Sequence, residues 1–125
     1  MKNLLLIFIG GGLGSCCRYL LSLWLNTPAS NFPLGTFAAN VLSCMVLGFA
    51  SVLVIEKLEL STHIRFIIMT GFCGGFSTFS TFDSEIFAII ERENYLSSLI
   101  YAVISIIAGL GALFVGMTLG NKVIS

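Results

Sequence analysis

The chain has 125 residues, of which 57% are hydrophobic and only 10% charged, and its mean hydropathy is +1.03. Soluble domains carry about 25% charged residues, so this composition specifies an integral membrane protein. Six Lys and Arg balance six Asp and Glu, which leaves no basic field to recruit nucleic acid and no acidic tail.

Four segments reach the roughly 20 helical residues that cross a hydrocarbon core. They run over residues 4–25, 34–55, 63–90 and 96–119 and predict an all-α membrane protein forming one four-helix transmembrane domain. The connections are short: Asn26 to Pro33 with two prolines, Glu56 to Thr62 and Glu91 to Tyr95 with three charges each. Met1 to Gly14 has the outline of a signal peptide, but equally apolar segments recur to the end of the chain, which makes it the start of the first span. Cys16, Cys17, Cys44 and Cys73 lie within apolar segments without Cys-x-x-Cys spacing, so they read as small buried side chains rather than metal ligands or disulfides.

In the first span, Gly10 and Gly14 have the small-xxx-small spacing that lets helix backbones approach closely. Arg18 is costly in lipid. It must snorkel to the far interface or face a polar interior, and snorkelling is expected. In the second span Asn40 brings an amide that lipid cannot satisfy; it is either glue between helices or a donor in a pore.

The third span begins with His63 and Arg65 at an interface and then meets Gly71-Phe72-Cys73-Gly74-Gly75-Phe76-Ser77-Thr78-Phe79-Ser80-Thr81-Phe82. Each glycine lowers helix propensity by about 1 kcal/mol relative to alanine, and the hydroxyls compete for backbone hydrogen bonds. A helix broken mid-membrane near Gly74 to Thr78 is therefore predicted. Loosened backbone at membrane depth must be buried in protein or line an aqueous cavity, and its carbonyl and N–H groups can bind ions. Past the break, helical spacing puts Phe76, Phe79 and Phe82 on one drifting face, with Ser77, Ser80, Thr81 and Ser84 beside it. Asp83 and Glu85 follow, in a vestibule or among headgroups.

The fourth span aligns Tyr101, Ser105, Ala108 and Ala112 on one face, with Gly109, Gly111, Gly116 and Gly120 for close approach. Ser105 could bond its own helix backbone, and Tyr101 could sit in an aromatic belt. No catalytic constellation is present: the one histidine lies at an edge, and no mid-span carboxylate pair or Cys/His pair occurs, so the chain does not read as an enzyme.

The segment from Gly10 to Arg18-Tyr19, the Gly35-Thr36 to Asn40 segment and the Gly-Gly-Phe-Ser-Thr-Phe-Ser-Thr-Phe string from Gly74 to Phe82 together closely resemble the CrcB/Fluc family of fluoride channels. The resemblance covers nearly the whole chain. It implies passive export of fluoride across the cytoplasmic (inner) membrane by a homodimer of antiparallel subunits, with two pores and one central structural Na⁺. It also implies that Phe79 and Phe82 are the pore phenylalanines and Asn40 the pore amide. Ser80, Thr81, Tyr101 and Ser105 would be the polar lining, and the backbone carbonyls of Gly74 and Ser77 would hold the Na⁺.

The basic residues bear on orientation. Lys2, Lys57, Arg65 and Lys122 fall on the side of the termini, against Arg18 and Arg92 on the other, a bias that taken alone favours termini inside. The alternative is a small four-helix multidrug/proton exporter, but that class needs a membrane carboxylate in its first span, and residues 4–25 have none. An accessory membrane subunit without transport of its own is a third possibility.

Overall fold

A computed structural model describes residues 1–56 and 61–125, and all the regular structure among them is helical. Three helices are long and apolar enough to cross a membrane: α1 (Lys2–Leu25), α2 (Leu34–Glu56) and the last, α6 (Tyr95–Ile124). At 1.5 Å per residue the 24 residues of α1 extend about 36 Å. These match the predicted first, second and fourth spans to within a few residues. Of the predicted connection from Glu56 to Thr62, residues 57–60 lie outside the described residues.

The predicted third span is made of shorter pieces. It comprises α3 (Ser61–Ile64), a π-helical segment (Arg65–Cys73), α4 (Gly74–Phe76) and α5 (Phe79–Glu91). Ser77 (φ −81°, ψ 153°) and Thr78 (φ −152°, ψ 121°) are extended between α4 and α5. The widened π-helical turns that precede them are a form that recurs at functional sites.

Turn chemistry fixes the connections. The Asn26 side-chain oxygen accepts from the Gly35 backbone N–H at 2.8 Å, tying the end of α1 to the first turn of α2 across the two prolines. At the end of α5, Glu93 N–H bonds the Ile90 carbonyl and Asn94 N–H bonds the Ile89 carbonyl, a Schellman pattern with Glu93 in the left-handed region at φ 57°. The Asn94 side chain then caps α6 through Ser97 N–H.

The helices pack chiefly as two couples, α2 with α6 and α1 with the interrupted third segment. Both depend on missing side chains. A Cβ on Gly14 would overlap the Phe72 carbonyl oxygen, and one on Gly116 would overlap that of Met45. The small-xxx-small spacing of Gly10 and Gly14 thus brings α1 onto the π-helical segment as expected. Leu4, Leu5, Phe8, Leu13 and Trp24 on α1, and Ile106, Ile107, Leu110 and Phe114 on α6, face outward, where hydrocarbon rather than water is the natural solvent. Cys73 is buried and Cys44 half-buried, but Cys16 and Cys17 are exposed on α1, so burial holds for only part of the predicted set; all four are free thiols.

Candidate functional site: an interrupted helix beside a groove

A helix that stops and restarts loses ladder bonds, and each freed group needs a partner when water is scarce. In an uninterrupted helix Thr78 N–H would bond the Gly74 carbonyl, and Phe79 N–H the Gly75 carbonyl. Here Thr78 N–H donates instead to Asn40 Oδ1 at 2.9 Å. The Gly75 carbonyl accepts from Ser15 Oγ at 3.4 Å and from Arg18 Nε at 3.2 Å. The Cys73 carbonyl keeps its ladder bond from Ser77 N–H at 2.9 Å and also takes the Ser77 hydroxyl at 2.7 Å and the Ser43 hydroxyl at 3.1 Å.

Two neighbouring helices therefore hold the interruption. Asn40 and Ser43 lie one turn apart on α2 and grip the chain on either side of it, while Ser15 and Arg18 lie one turn apart on α1 and grip its middle. Arg18 does not snorkel away. Its Nε finds a carbonyl stripped of its helical donor, and a charge-assisted hydrogen bond to such an oxygen offsets part of the cost of withdrawing the guanidinium from water.

α5 restarts on Thr78, whose hydroxyl accepts from Thr81 N–H at 3.4 Å. That hydroxyl also lies 3.3 Å from those of Ser80 and Thr81, making a short hydroxyl cluster at the helix start. The residues after the interruption do not continue the face before it. Phe76 is buried and packs on Phe72 with ring centroids 5.3 Å apart, whereas Phe79 pairs with Phe82 at 6.0 Å. The predicted three-phenylalanine face fails because 100° per residue applies only within a helix, and Ser77 and Thr78 are not helical.

Asn40, Cys44, Ser77, Thr78, Phe79, Phe82 and Ser105 line a groove of about 290 Å³ between α2, α5 and α6. A backbone N–H can only donate, so the Asn40 atom facing Thr78 must be its oxygen, and the amide's two N–H donors remain for other partners. The Ser105 hydroxyl is buried without a hydrogen-bond partner, rather than bonded to its own helix. Phe82 is buried on the inner side, and Phe79 is 75% exposed at the outer edge. Tyr101 lies behind Phe82, ring centroids 5.2 Å apart; it is fully buried, not in an aromatic belt. Ser80 and Gly74 are exposed and Thr81 half-buried, outside the groove lining.

On the far side of Phe82 is a cluster the sequence did not disclose. Glu85 accepts from the Tyr101 hydroxyl at 2.8 Å through Oε2 and from the Thr36 hydroxyl at 2.6 Å through Oε1. Thr36 is 2% exposed and Tyr101 0%. Glu85 also lines a second cavity, of about 210 Å³, with Asn26, Ser30, Asn31, Phe32 and Arg92 near the connections. Thr36, Tyr101 and Phe82, all buried, thus lie between this cavity and the groove. The available signal was spacing: Glu85 follows Phe82 by three residues and so shares its helix face. Asp83, by contrast, is exposed. Among the described residues no three His, Cys, Asp or Glu side chains gather to hold a metal ion, so a cation here would need other oxygens.

Helices of this length and apolarity, gathered round an interrupted segment, are those of a multi-pass membrane protein. The profile of the CrcB-like protein, Camphor Resistance (CrcB) family matches residues 5–117. A protein of Phocaeicola vulgatus named fluoride-specific ion channel FluC is 40% identical over 118 residues, covering 94% of this chain and 97% of the relative. Proteins of the same name from Chloroflexus aurantiacus (38% identical, 97% of each chain) and Hahella chejuensis (37%, 99% of this chain and 98% of the relative) are similar along their whole lengths. The chain belongs to the CrcB family, a family of ion channels rather than enzymes.

Proposed function

We propose that this protein is a fluoride-selective channel that lets the anion leave the cell passively across the cytoplasmic (inner) membrane, working as an antiparallel homodimer. One observation carries it: Asn40, its oxygen locked by Thr78 N–H, and Ser105, its hydroxyl unpartnered, share one groove with Phe79 and Phe82. Fluoride is small and strongly hydrated, so a pore must replace its water with donors. Amide N–H, hydroxyls and the positive edges of aromatic rings are suited to that, whereas an exporter of cationic drugs would need acceptors. Ser80, Thr81 and Tyr101, which the resemblance makes polar lining, flank the groove rather than line it, and the Tyr101 hydroxyl is given to Glu85.

The third segment, from residue 63 to 90, is then one membrane crossing broken at mid-depth, and residues 1–125 form a single four-span domain. Each chain offers one groove, so a dimer has two pores. The exposed ring of Phe79 would be covered where the subunits meet.

The interruption suits a hard cation. Thr78 N–H, the ladder donor for the Gly74 carbonyl, is committed to Asn40, and Thr81 N–H, that for the Ser77 carbonyl, to Thr78 Oγ1. Two freed oxygens per chain become four when two interruptions meet antiparallel, a ligand type and number that fits Na⁺. Such an ion would supply a fixed positive charge between the subunits.

Purified protein alone in liposomes loaded with fluoride tests this. Efflux that an external fluoride electrode registers, with chloride retained, is expected; no efflux at any Na⁺ concentration would refute the channel. The exporter alternative lacks its carboxylate in α1, and both oxygens of Glu85 are held by Thr36 and Tyr101.

A further inference from the structure

The interruption frees more than one carbonyl, yet they are not equivalent. The Gly75 oxygen alone is taken by side chains, receiving both Ser15 Oγ and Arg18 Nε from α1. α1 is pressed against this peptide so closely that a Cβ on Gly75 would overlap the Gly11 carbonyl oxygen. Gly11, Ser15 and Arg18 recur at i, i+4 and i+7, so one stripe of α1 is dedicated to Gly75. The stripe ends in a permanent positive charge, since arginine is not deprotonated in proteins.

We infer that Arg18 is a positioning residue that, with Ser15, withholds the Gly75 carbonyl and sets the charge limit of the cation site formed by its neighbours. This rests on the cation site proposed above. Gly74 and Gly75 are adjacent peptides, and Ser77 lies within one turn, so the guanidinium held on the Gly75 oxygen is one peptide removed from the site that the Gly74 and Ser77 oxygens would form. Repulsion between them scales with the charge of the ion and falls only slowly with distance where water is excluded. A monovalent ion with few, neutral ligands is tolerated beside it; a divalent ion meets twice the repulsion, and carbonyl ligands bring no negative charge to offset it. Arg18 thereby excludes the abundant divalent cations without touching the bound ion. By withholding Gly75 it also keeps each chain's contribution to two oxygens.

The test is the thermal unfolding of the purified dimer as a function of added NaCl, CaCl₂ and MgCl₂, which needs no fluoride flux. Wild type is expected to be stabilised by Na⁺ and not by either divalent ion. Arg18→Gln, which removes the charge, should shift the Na⁺ midpoint about tenfold lower and let Ca²⁺ stabilise. Arg18→Lys should keep the monovalent preference. Ser15→Ala, which weakens the hold on Gly75 and leaves the charge, should move the Na⁺ midpoint less and admit no divalent ion. Should Arg18→Gln not assemble, Ser15→Ala carries the test, and an unmoved midpoint overturns the inference. An Arg18→Gln dimer with the wild-type response to all three salts also overturns it. So does a wild-type dimer indifferent to Na⁺, which removes the cation site as well while leaving fluoride flux as the separate measure of the channel.

Discussion

The two helix couples solve the same problem with different chemistry. α2 and α6 meet through glycines, Gly48 and Gly116 among them, and both helices are uninterrupted, so their backbone groups are satisfied internally. α1 meets the third segment through glycines too, but adds Ser15 and Arg18, because the segment it holds has lost ladder bonds. Close packing is therefore the general device of this fold, and polar side chains appear where the backbone is open. The difference teaches where function can reside: a continuous couple offers lipid nothing but side chains, whereas an open backbone offers donors and carbonyls that can be redirected.

The sharpest way to break this comparison is to fill a glycine. Gly116→Val would drive a side chain into the Met45 carbonyl and should cost about 3 kcal/mol, read as a lowered melting temperature. Gly111→Val, where no atom lies within 4 Å of the added Cβ, should be nearly neutral. Equal effects would mean that close approach is not what holds the couple.

Removing a polar clasp should do less to stability and more to transport. Asn40→Ala strips Thr78 N–H of its acceptor and the groove of its amide, at a cost of about 1–3 kcal/mol and with fluoride efflux reduced more than tenfold. Normal flux in that variant would make the amide merely a link between helices. Phe82→Ile should lower flux about tenfold by removing the ring edge while the size-exclusion profile stays that of the wild type, with Phe79→Ile acting in the same direction; flux and size exclusion together decide it. Ser43→Ala removes one of three donors to the Cys73 carbonyl and should cost about 1 kcal/mol in denaturant unfolding, with little change in flux. The smallest expected effect lies outside both couples. Glu93→Gly relieves the left-handed residue after α5, worth about 1–2 kcal/mol, against about 0.5–1 kcal/mol of added chain entropy, and should be slightly stabilising, seen as a slightly raised melting temperature.

Much of this was legible in the sequence. Hydropathy located α1, α2 and α6, and the small-xxx-small spacing of Gly10 and Gly14 found a packing face; the extended Ser77 and Thr78 fall within the cluster of glycines and hydroxyls. Three things were not legible, each because it depends on geometry between distant segments. Arg18 turned inward, since its partner, the Gly75 carbonyl, is offered only once the helix is interrupted. Phe76 parted from Phe79 because two extended residues reset the helical phase. Glu85 found Thr36 and Tyr101 across 49 and 16 residues of chain, a meeting that no periodicity encodes.

The central claim, that the groove beside the interruption passes fluoride and little else, is tested most directly by the reversal potential of purified protein in a planar bilayer. With a tenfold fluoride gradient and equal chloride on both sides, current carried by fluoride should reverse about 59 mV from zero, the value for a single charge. Reversal near zero, or at a potential that follows chloride instead, would contradict it.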